Sequence, residues 1–261
     1  MIQVQMLPTN EDNYCYVIHV DGATVVVDPG DAQPVLRYLE QHGCTLSLIL
    51  NTHMHQDHCQ GNKELKRVTG CTIIGADKRI PEVDVVLTGE GSLAQLDCPA
   101  VSQACGAIQV LYTPGHTTAD CSYYLASNDS FTGALFSGDA LFAGGCGRIF
   151  EGTMAQLFDS LQLLKSLPAE TLLYCGHEYT LDNYRFAEHV EPDSAVVRKK
   201  LREVQLQRGR GEGTIPARLI EELTTNPFLR TADCALRKAL KMEDNSELEV
   251  FTELRKRKNR Y

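Results

Sequence analysis

Five short apolar runs in the first two thirds of the chain end in tight turns that carry His or Asp. The runs cover residues 25–27, 46–50, 108–112, 134–136 and 171–174. Short apolar runs closed by Gly or Pro predict buried strands. Helical patterns fall between them, at residues 32–42 and 154–166, and strands that alternate with helices indicate the α/β class. Loops at the carboxyl ends of such strands bind ligands, so the pattern also predicts where a site should lie.

The last third of the chain has a different pattern, because strand signals fade after about residue 177. Helices are predicted after Ser194, Thr214 and Ser246, each of which stands directly before a helical stretch. The sequence therefore predicts two domains, an α/β domain at residues 1–177 and a small α-helical domain at residues 178–261.

Composition excludes several classes of partner. The net charge is −9, with 25 basic and 34 acidic residues, whereas a nucleic-acid binder is usually basic. We find no apolar run long enough to span a bilayer and no signal-peptide pattern at the N-terminus. The ten cysteines include no C-x-x-C pair and are interpreted as reduced thiols. We therefore expect a cytoplasmic protein that binds neither nucleic acid nor membrane. We also expect a monomer, although nothing in the composition determines the oligomeric state.

Residues 52–58, Thr-His-Met-His-Gln-Asp-His, are the strongest chemical signal in the sequence. In an extended segment that leaves a strand, His53 and His55 share a face and can bind one metal ion. A turn after them lets Asp57 and His58 face a second position. The alternative is a polar loop with incidental histidines. Three imidazoles and a carboxylate within six residues favour a metal site, because imidazole is the commonest metal-ligand side chain.

Three other strand ends offer the ligands that two metal ions would still need. His116 lies in a TPGHT turn and can complete a three-histidine site with the first two histidines of the motif. His177, in CGHE, can join the Asp and His that end the motif. Asp139 follows an apolar strand, where a lone carboxylate would be poorly solvated, and can bridge both ions. An isolated His or Asp at a turn is ordinary, so these assignments depend on the first motif.

Two further features lie close to the motif. Asp28 and Asp31, in the DPGD turn, are expected to shape the turn and to orient a ligand from behind. Cys59 is interpreted as a small buried hydrophobe, as free cysteines commonly are. A soft metal ligand or a redox switch is the alternative for Cys59.

The order of these motifs resembles that of the metallo-β-lactamase superfamily, which implies an αβ/βα sandwich followed here by a small C-terminal helical domain. Within the superfamily the chain is similar to the glyoxalase II family, the hydroxyacylglutathione hydrolases, over essentially its whole length. The more specific motifs are DNYCYVI, VDPGDA, LFAGGCGRIFEGT, CGHEYTLDNYRFA, NPFLR and the closing LRKRKNRY.

The resemblance implies a centre with two divalent metal ions per chain, which we expect to be zinc, although iron and manganese also suit such ligands. The first ion would be bound by His53, His55, His116 and Asp139, and the second by Asp57, His58, His177 and the shared Asp139. Asp57, His58 and Asp139 are the predicted catalytic residues.

The resemblance also implies a glutathione-binding pocket. Arg255 and Lys258 would bind the glycine carboxylate, and Arg148, Phe150 and Tyr179 would line the rest. Some family members have Lys and Tyr at the first two of these three positions, so the cation is kept here and a hydroxyl is lost. Arg255 and Lys258 share a helix face, and the alternative for them is a solvated helix end that complements the helix dipole.

The implied reaction is hydrolysis of a glutathione thioester, with S-D-lactoylglutathione giving D-lactate and glutathione in methylglyoxal detoxification. A hydroxide that bridges the two metal ions would attack the thioester carbonyl. The main alternative is a persulfide dioxygenase with one iron on the same scaffold, which metal count and oxygen consumption would separate. A nuclease of the superfamily and a non-catalytic metal-binding module are further alternatives.

Overall fold

The computed structural model describes residues 2–20, 23–88, 94–96 and 108–261. Its first sheet has the strand order β1-β2-β3-β4-β5-β6. The strands are β1 (Gln3–Thr9), β2 (Asn13–Val20), β3 (Ala23–Val27), β4 (Leu46–Asn51), β5 (Thr72–Gly75) and β6 (Val85–Val86). Strand β2 is antiparallel to both β1 and β3, and β3 to β6 are parallel.

The parallel strands are connected by helices that cover one face of this sheet. These helices are α1 (Ala32–His42), α2 (Gln56–Cys59) and α3 (Asn62–Thr69). Asp31 begins α1 by accepting a hydrogen bond from the amide of Gln33, and Gly43 ends it with a left-handed φ of 61°. Buried aliphatic side chains of α1, α3 and the strands, such as Val35, Leu65 and Ile49, form the core. The carboxyl ends of β3 and β4 therefore lie at the same edge of the sheet.

The described residues form two units. The first comprises Met1–Tyr112 and Ala119–Gly138, and the second Thr113–Thr118 and Asp139–Tyr261. Besides the first sheet, the first unit contains an antiparallel series of four strands in the order β7-β8-β9-β10. They are β7 (Ala94–Leu96), β8 (Ile108–Tyr112), β9 (Cys121–Leu125) and β10 (Ala134–Gly138).

The second unit is mostly helical. Its strands form two short antiparallel pairs, β11 (Leu141–Phe142) with β12 (Gly145–Cys146) and β13 (Leu172–Cys175) with β14 (Ala217–Arg218). Its helices are α4 (Met154–Lys165), α5 (Thr180–Val190), α6 (Ala195–Gly209), α7 (Leu219–Thr225), α8 (Cys234–Leu240) and α9 (Glu247–Arg260). Aromatic contacts join α9 to α4, with the rings of Phe158 and Phe251 5.7 Å apart.

The predicted helices of the last third are confirmed at two of three positions. Helix α6 follows Ser194, and Ser246 begins α9 through a complete capping box with Glu249. The helix predicted to start after Thr214 was wrong in its start, because Ala217–Arg218 pairs with β13 and α7 begins only at Leu219.

The domain division at residues 177 and 178 remains a prediction. Among the described residues, no helix has the length and apolar character needed to cross a bilayer.

Candidate active site

The HxHxDH segment leaves the end of β4 through a bend at Thr52 and His53 and then turns into α2, which begins after His55. His53 and His58 are almost fully buried, each with 1% of its surface exposed. Nε2 of His53 lies 3.0 Å from Nδ1 of His55, and Nε2 of His58 lies 3.7 Å from Oδ2 of Asp57. The four side chains thus form the two pairs expected from their spacing, and their role as ligands remains a prediction.

Asp28 organises this segment from the end of β3. Its carboxylate accepts hydrogen bonds from the amide of Thr52 at 2.8 Å, the hydroxyl of Thr52 at 2.7 Å and Nδ1 of His58 at 2.9 Å. A carboxylate only accepts, so Nδ1 of His58 carries the hydrogen and Nε2 presents its lone pair. This arrangement is typical of metal-binding histidines, whose second nitrogen is held by a carboxylate. The predicted orienting role therefore fits Asp28, whereas Asp31 caps α1.

Asn13 contacts the carboxylate of Asp57 and was not among the site residues predicted from the sequence. Its side-chain amide donates to Oδ2 of Asp57 at 2.9 Å, and it stands in the DNYCYVI motif. The backbone behind Asp57 is also tightly packed, since a Cβ on Gly30 would lie 2.0 Å from the Asp57 carbonyl oxygen. The position of the Asp57 carboxylate is therefore set from two sides.

Cys59 is a buried, neutral thiol. Its Sγ donates to the carbonyl oxygen of His55 at 3.1 Å, and burial, followed by the nearby Asp28 and Asp57 charges, raises its pKa to about 12. Its Sγ also faces the carbonyl oxygen of Met54 at 3.3 Å, so the structure agrees with a small buried side chain that packs against backbone.

The second unit brings together the other three predicted ligands. Oδ2 of Asp139 lies 3.5 Å from Nε2 of His116 and 3.4 Å from Nε2 of His177. Nδ1 of His116 donates to the carbonyl oxygen of Arg148 at 2.7 Å, so the lone pair of this imidazole is at Nε2, towards Asp139. A Cβ on Gly147 would lie 2.0 Å from the Asp139 carbonyl oxygen. The close approach of Gly147 therefore restricts the backbone of Asp139.

These separations fit divalent metal ions. Tetrahedral zinc with ligand bonds of about 2.0–2.2 Å keeps neighbouring ligand atoms about 3.4 Å apart, close to the distances from Asp139 to its two histidines. Imidazole and carboxylate together suit zinc, iron and manganese alike. The donor chemistry therefore indicates divalent metal ions without selecting one.

A cavity of about 330 Å³ in the second unit includes two of these ligands in its wall. All five predicted substrate-binding residues line it, so the structure brings them together with predicted metal ligands. The lining residues are His116, Asp139, Phe142, Cys146, Arg148, Phe150, Tyr179, Asn183, Arg255 and Lys258. Phe142, Cys146 and Asn183 were missed by sequence reasoning, although each lies within a family motif. A cavity of this volume is in the range of small-molecule sites.

Arg255 and Lys258 place two cations in this cavity. Arg255 is only 4% exposed, and its Nη1 donates to the carbonyl oxygens of Cys146 at 2.8 Å and Gly147 at 3.3 Å. Nζ of Lys258 donates to the carbonyl oxygen of Asp182 at 3.0 Å. Burial, reinforced by the charge of Arg255, lowers the pKa of Lys258 to about 8. These two partly desolvated cations would attract an anionic group to the cavity.

Aromatic rings flank the metal-ligand side of the cavity. Tyr179 stacks on His177 at 4.6 Å with the ring planes 4° apart, and Phe150 meets His116 edge to face at 5.2 Å. Phe150 is 61% exposed, so its ring offers an apolar surface at the cavity mouth. Phe150 therefore offers only an apolar ring here, where some family members have a tyrosine hydroxyl.

Comparisons with known proteins agree with this fold and these residues. The family model of the metallo-beta-lactamase superfamily matches residues 8–90 and 99–177, and that of the hydroxyacylglutathione hydrolase C-terminus matches residues 178–261. A hydroxyacylglutathione hydrolase of Methylococcus capsulatus is 44% identical over 99% of this chain and 98% of its own.

Two solved structures share the fold. The BLEG-1 B3 metallo-beta-lactamase has a TM-score of 0.64 at 22% identity, covering 87% of this chain and 99% of its own. ETHE1 from Myxococcus xanthus has a TM-score of 0.64 at 26% identity, covering 97% and 90%.

Fold and motifs together define a member of the metallo-β-lactamase superfamily, which confirms the predicted fold class. Within that superfamily, the chain belongs to the hydroxyacylglutathione hydrolase family, as its sequence predicts.

Proposed function

We propose that this chain hydrolyses glutathione thioesters, with S-D-lactoylglutathione as the substrate and D-lactate and glutathione as the products. The observation that carries the proposal is one cavity whose wall contains both cationic side chains and predicted metal ligands. Arg255 and Lys258 are the cations, and His116 and Asp139 are the predicted ligands. The relatives named hydroxyacylglutathione hydrolase support the same reaction class.

Two divalent metal ions, zinc in the first instance, are proposed to be bound by the seven predicted ligands. These are His53, His55, Asp57, His58, His116, Asp139 and His177. Metal ions bound there would lower the pKa of a coordinated water and polarise the thioester carbonyl. Asp28 and the Arg148 carbonyl would hold His58 and His116 in the tautomer that this binding needs.

The residues of the cavity position the substrate. Arg255 and Lys258 would pair with the glycine carboxylate of glutathione, and Arg148 and Tyr179 would line the rest of the peptide. This pairing would hold the thioester in the cavity that His116 and Asp139 also line. The leaving group is a thiolate whose conjugate acid has a pKa of about 8.5, so it departs without a dedicated general acid.

A hydrolysis assay on metal-analysed protein tests this function. We expect the release of glutathione from S-D-lactoylglutathione, with two metal ions per chain and no oxygen consumption. His55→Ala should abolish turnover and reduce the bound metal. One iron per chain with oxygen uptake on a persulfide would instead establish the dioxygenase. Turnover and metal content that both survive His55→Ala would refute the proposed centre.

The substrate-anchoring role has its own test. Replacing Arg255 and Lys258 by Met should raise KM and leave kcat nearly unchanged, because such contacts bind the ground state and the transition state alike. A fall in kcat at constant KM would contradict anchoring. The monomeric state and the cytoplasmic location remain predictions, which sedimentation and fractionation would check.

A further inference from the structure

The cavity has one wall that is a tight hairpin, formed by β11, β12 and the residues that follow to Gly147. This segment, residues 141–147, is referred to below as the wall hairpin. It supplies Phe142 and Cys146 to the cavity. Its Cys146 and Gly147 carbonyl oxygens accept the hydrogen bonds of Arg255. The position of the buried guanidinium therefore depends on the position of the wall hairpin.

The wall hairpin is held from behind by a buried carboxylate. Glu222, in α7, is fully buried, and its Oε2 accepts a hydrogen bond from the Gly144 amide at 2.7 Å. Its Oε1 accepts from the hydroxyl of Tyr184 at 2.9 Å, and Oε2 also accepts from the side-chain amide of Asn226 at 3.1 Å. The same amide of Asn226 donates to the Gly145 carbonyl oxygen at 3.0 Å.

The hairpin has little room to move against this support. Gly144 has a left-handed φ of 70°, and a Cβ there would lie 2.9 Å from the ring of Tyr184. A Cβ on Gly145 would lie 2.6 Å from the side chain of Asn183. The backbone of the hairpin thus lies flush against α5, and its glycines make that approach sterically allowed.

A buried carboxylate is costly and needs a reason. Burial raises the pKa of Glu222, while the hydrogen bonds from Gly144, Tyr184 and Asn226 act in the opposite direction. Glu222 does not line the cavity, so it is not placed to touch the substrate. Its hydrogen bonds go instead to the hairpin and to the helix behind it.

We propose that Glu222 is a positioning residue for the glutathione pocket, acting through the wall hairpin on Arg255. The proposal rests on the proposed function, in which Arg255 binds the glycine carboxylate. Loss of the carboxylate frees the Gly144 amide, lets the hairpin shift and moves the carbonyl oxygens that orient the guanidinium. Affinity for the glycine carboxylate falls, while the metal ligands stay in place.

The test compares Glu222→Ala with Glu222→Gln and with the control Glu221→Gln. Glu221 is the adjacent residue and pairs with Lys200 on the outside of α7. Two substrates are used, S-D-lactoylglutathione and the same thioester with its glycine carboxylate converted to an amide. We expect Glu222→Ala to raise KM for the first about tenfold, which corresponds to about 1.4 kcal/mol of binding. KM for the amide, kcat and metal content should change little.

Glu222→Gln should largely keep the wild-type KM. The Gln oxygen can still accept from the Gly144 amide, and its NH₂ can donate to the Tyr184 oxygen. Equal increases in KM for both substrates, or none, would overturn the proposal. If Glu222→Ala fails to fold, Tyr184→Phe removes one hydrogen bond to the carboxylate. That variant should raise only the KM of the carboxylate substrate, by about threefold, as expected for a lost hydrogen bond.

Hydrogen exchange separates this proposal from the proposed function. Glu222→Ala, or Tyr184→Phe in its place, should accelerate the exchange of amides in residues 141–147, whatever the substrate is. Unchanged protection of that segment would overturn the positioning role. A wild-type chain that hydrolyses neither thioester would instead refute the proposed function.

Discussion

At the scale of single residues, Asp28 shows how one side chain can prepare a ligand. It receives three hydrogen bonds, two from Thr52 and one from His58. Asp28→Ala should lower metal affinity by about 10–100-fold, the usual effect of removing a group that orients a metal-binding histidine. Metal titration followed by elemental analysis measures this directly, without reference to turnover.

Asp31→Asn is the matched control for that change. Asp31 lies in the same DPGD turn but accepts from the Gln33 amide at the start of α1, and Asn is an equally good cap. Metal affinity should therefore be that of the wild type. Asp28→Ala protein with wild-type metal affinity would show that Asp28 only shapes the turn.

Lys258 predicts a pH dependence of substrate binding. Burial lowers its pKa from the ordinary 10.5 to about 8, so its positive charge is present at pH 7 and is lost as the pH rises through 8. Arg255 adds to this decrease, and Asp182 and Cys146 oppose it. KM for a glutathione thioester should thus be flat below about pH 7.5 and rise above pH 8, while kcat does not share that transition.

Lys258→Arg is the control for the pH profile. A guanidinium keeps its charge above pH 12, so the increase in KM near pH 8 should disappear in this variant. The same increase in wild type and in Lys258→Arg would assign it to another group.

The residues that the sequence revealed and those that it hid differ in how local their signal is. His53, His55, Asp57 and His58 stand within six positions, so their shared chemistry is visible without the fold. Glu222 lies in a polar stretch, EEL, that is indistinguishable from an exposed helix face. Its burial depends on residues 78 positions away, such as Gly144, and no local pattern reports such a contact.

At the scale of elements, the apolar runs predicted the strands well, because strands that are buried consist mainly of apolar residues. Strands β3, β4, β8, β10 and β13 lie at the five predicted runs, and the helices at residues 32–42 and 195–209 also lie as expected. The start of α7 was misplaced because residues 217–218 pair with β13. Strand pairing between distant segments overrode the local helical preference there.

Helix α9 depends on its N-cap residue, Ser246. The Ser246 hydroxyl accepts from the Glu249 amide, and the Glu249 carboxylate accepts from the Ser246 amide at 2.8 Å. Ser246→Ala should therefore lower the free energy of unfolding by about 1 kcal/mol, which urea denaturation would detect as a lower midpoint. Ser246→Asp keeps a capping oxygen and should stay close to the wild type. Equal losses in the two variants would argue against capping as the cause.

At the scale of the whole molecule, net charge and local charge have opposite signs. The chain carries −9 overall, yet Arg148, Arg255 and Lys258 line one cavity. The composition therefore argued against a nucleic-acid role, which remains a prediction, and said nothing of an anionic small-molecule substrate. Family motifs supplied that information, because Arg148 lies more than one hundred positions from Arg255 and Lys258 in the chain.

Metal removal should lower the stability of the folded chain, since the seven predicted ligands lie far apart in the sequence and can bind the same ions only when the chain is folded. Ions that bind only the folded chain stabilise it by about 4 kcal/mol when their free concentration is about 1,000 times Kd. For a chain of this size, their removal by a chelator should lower Tm on the order of 10 °C. Differential scanning calorimetry before and after dialysis against EDTA measures the shift, and added zinc should restore both Tm and activity.

The double variant His55→Ala, His177→Ala is the control for metal removal. It should already have a low Tm and respond little to EDTA. If wild-type protein loses its metal with no change in Tm, the ions do not bind a site formed on folding, and the proposed centre is wrong.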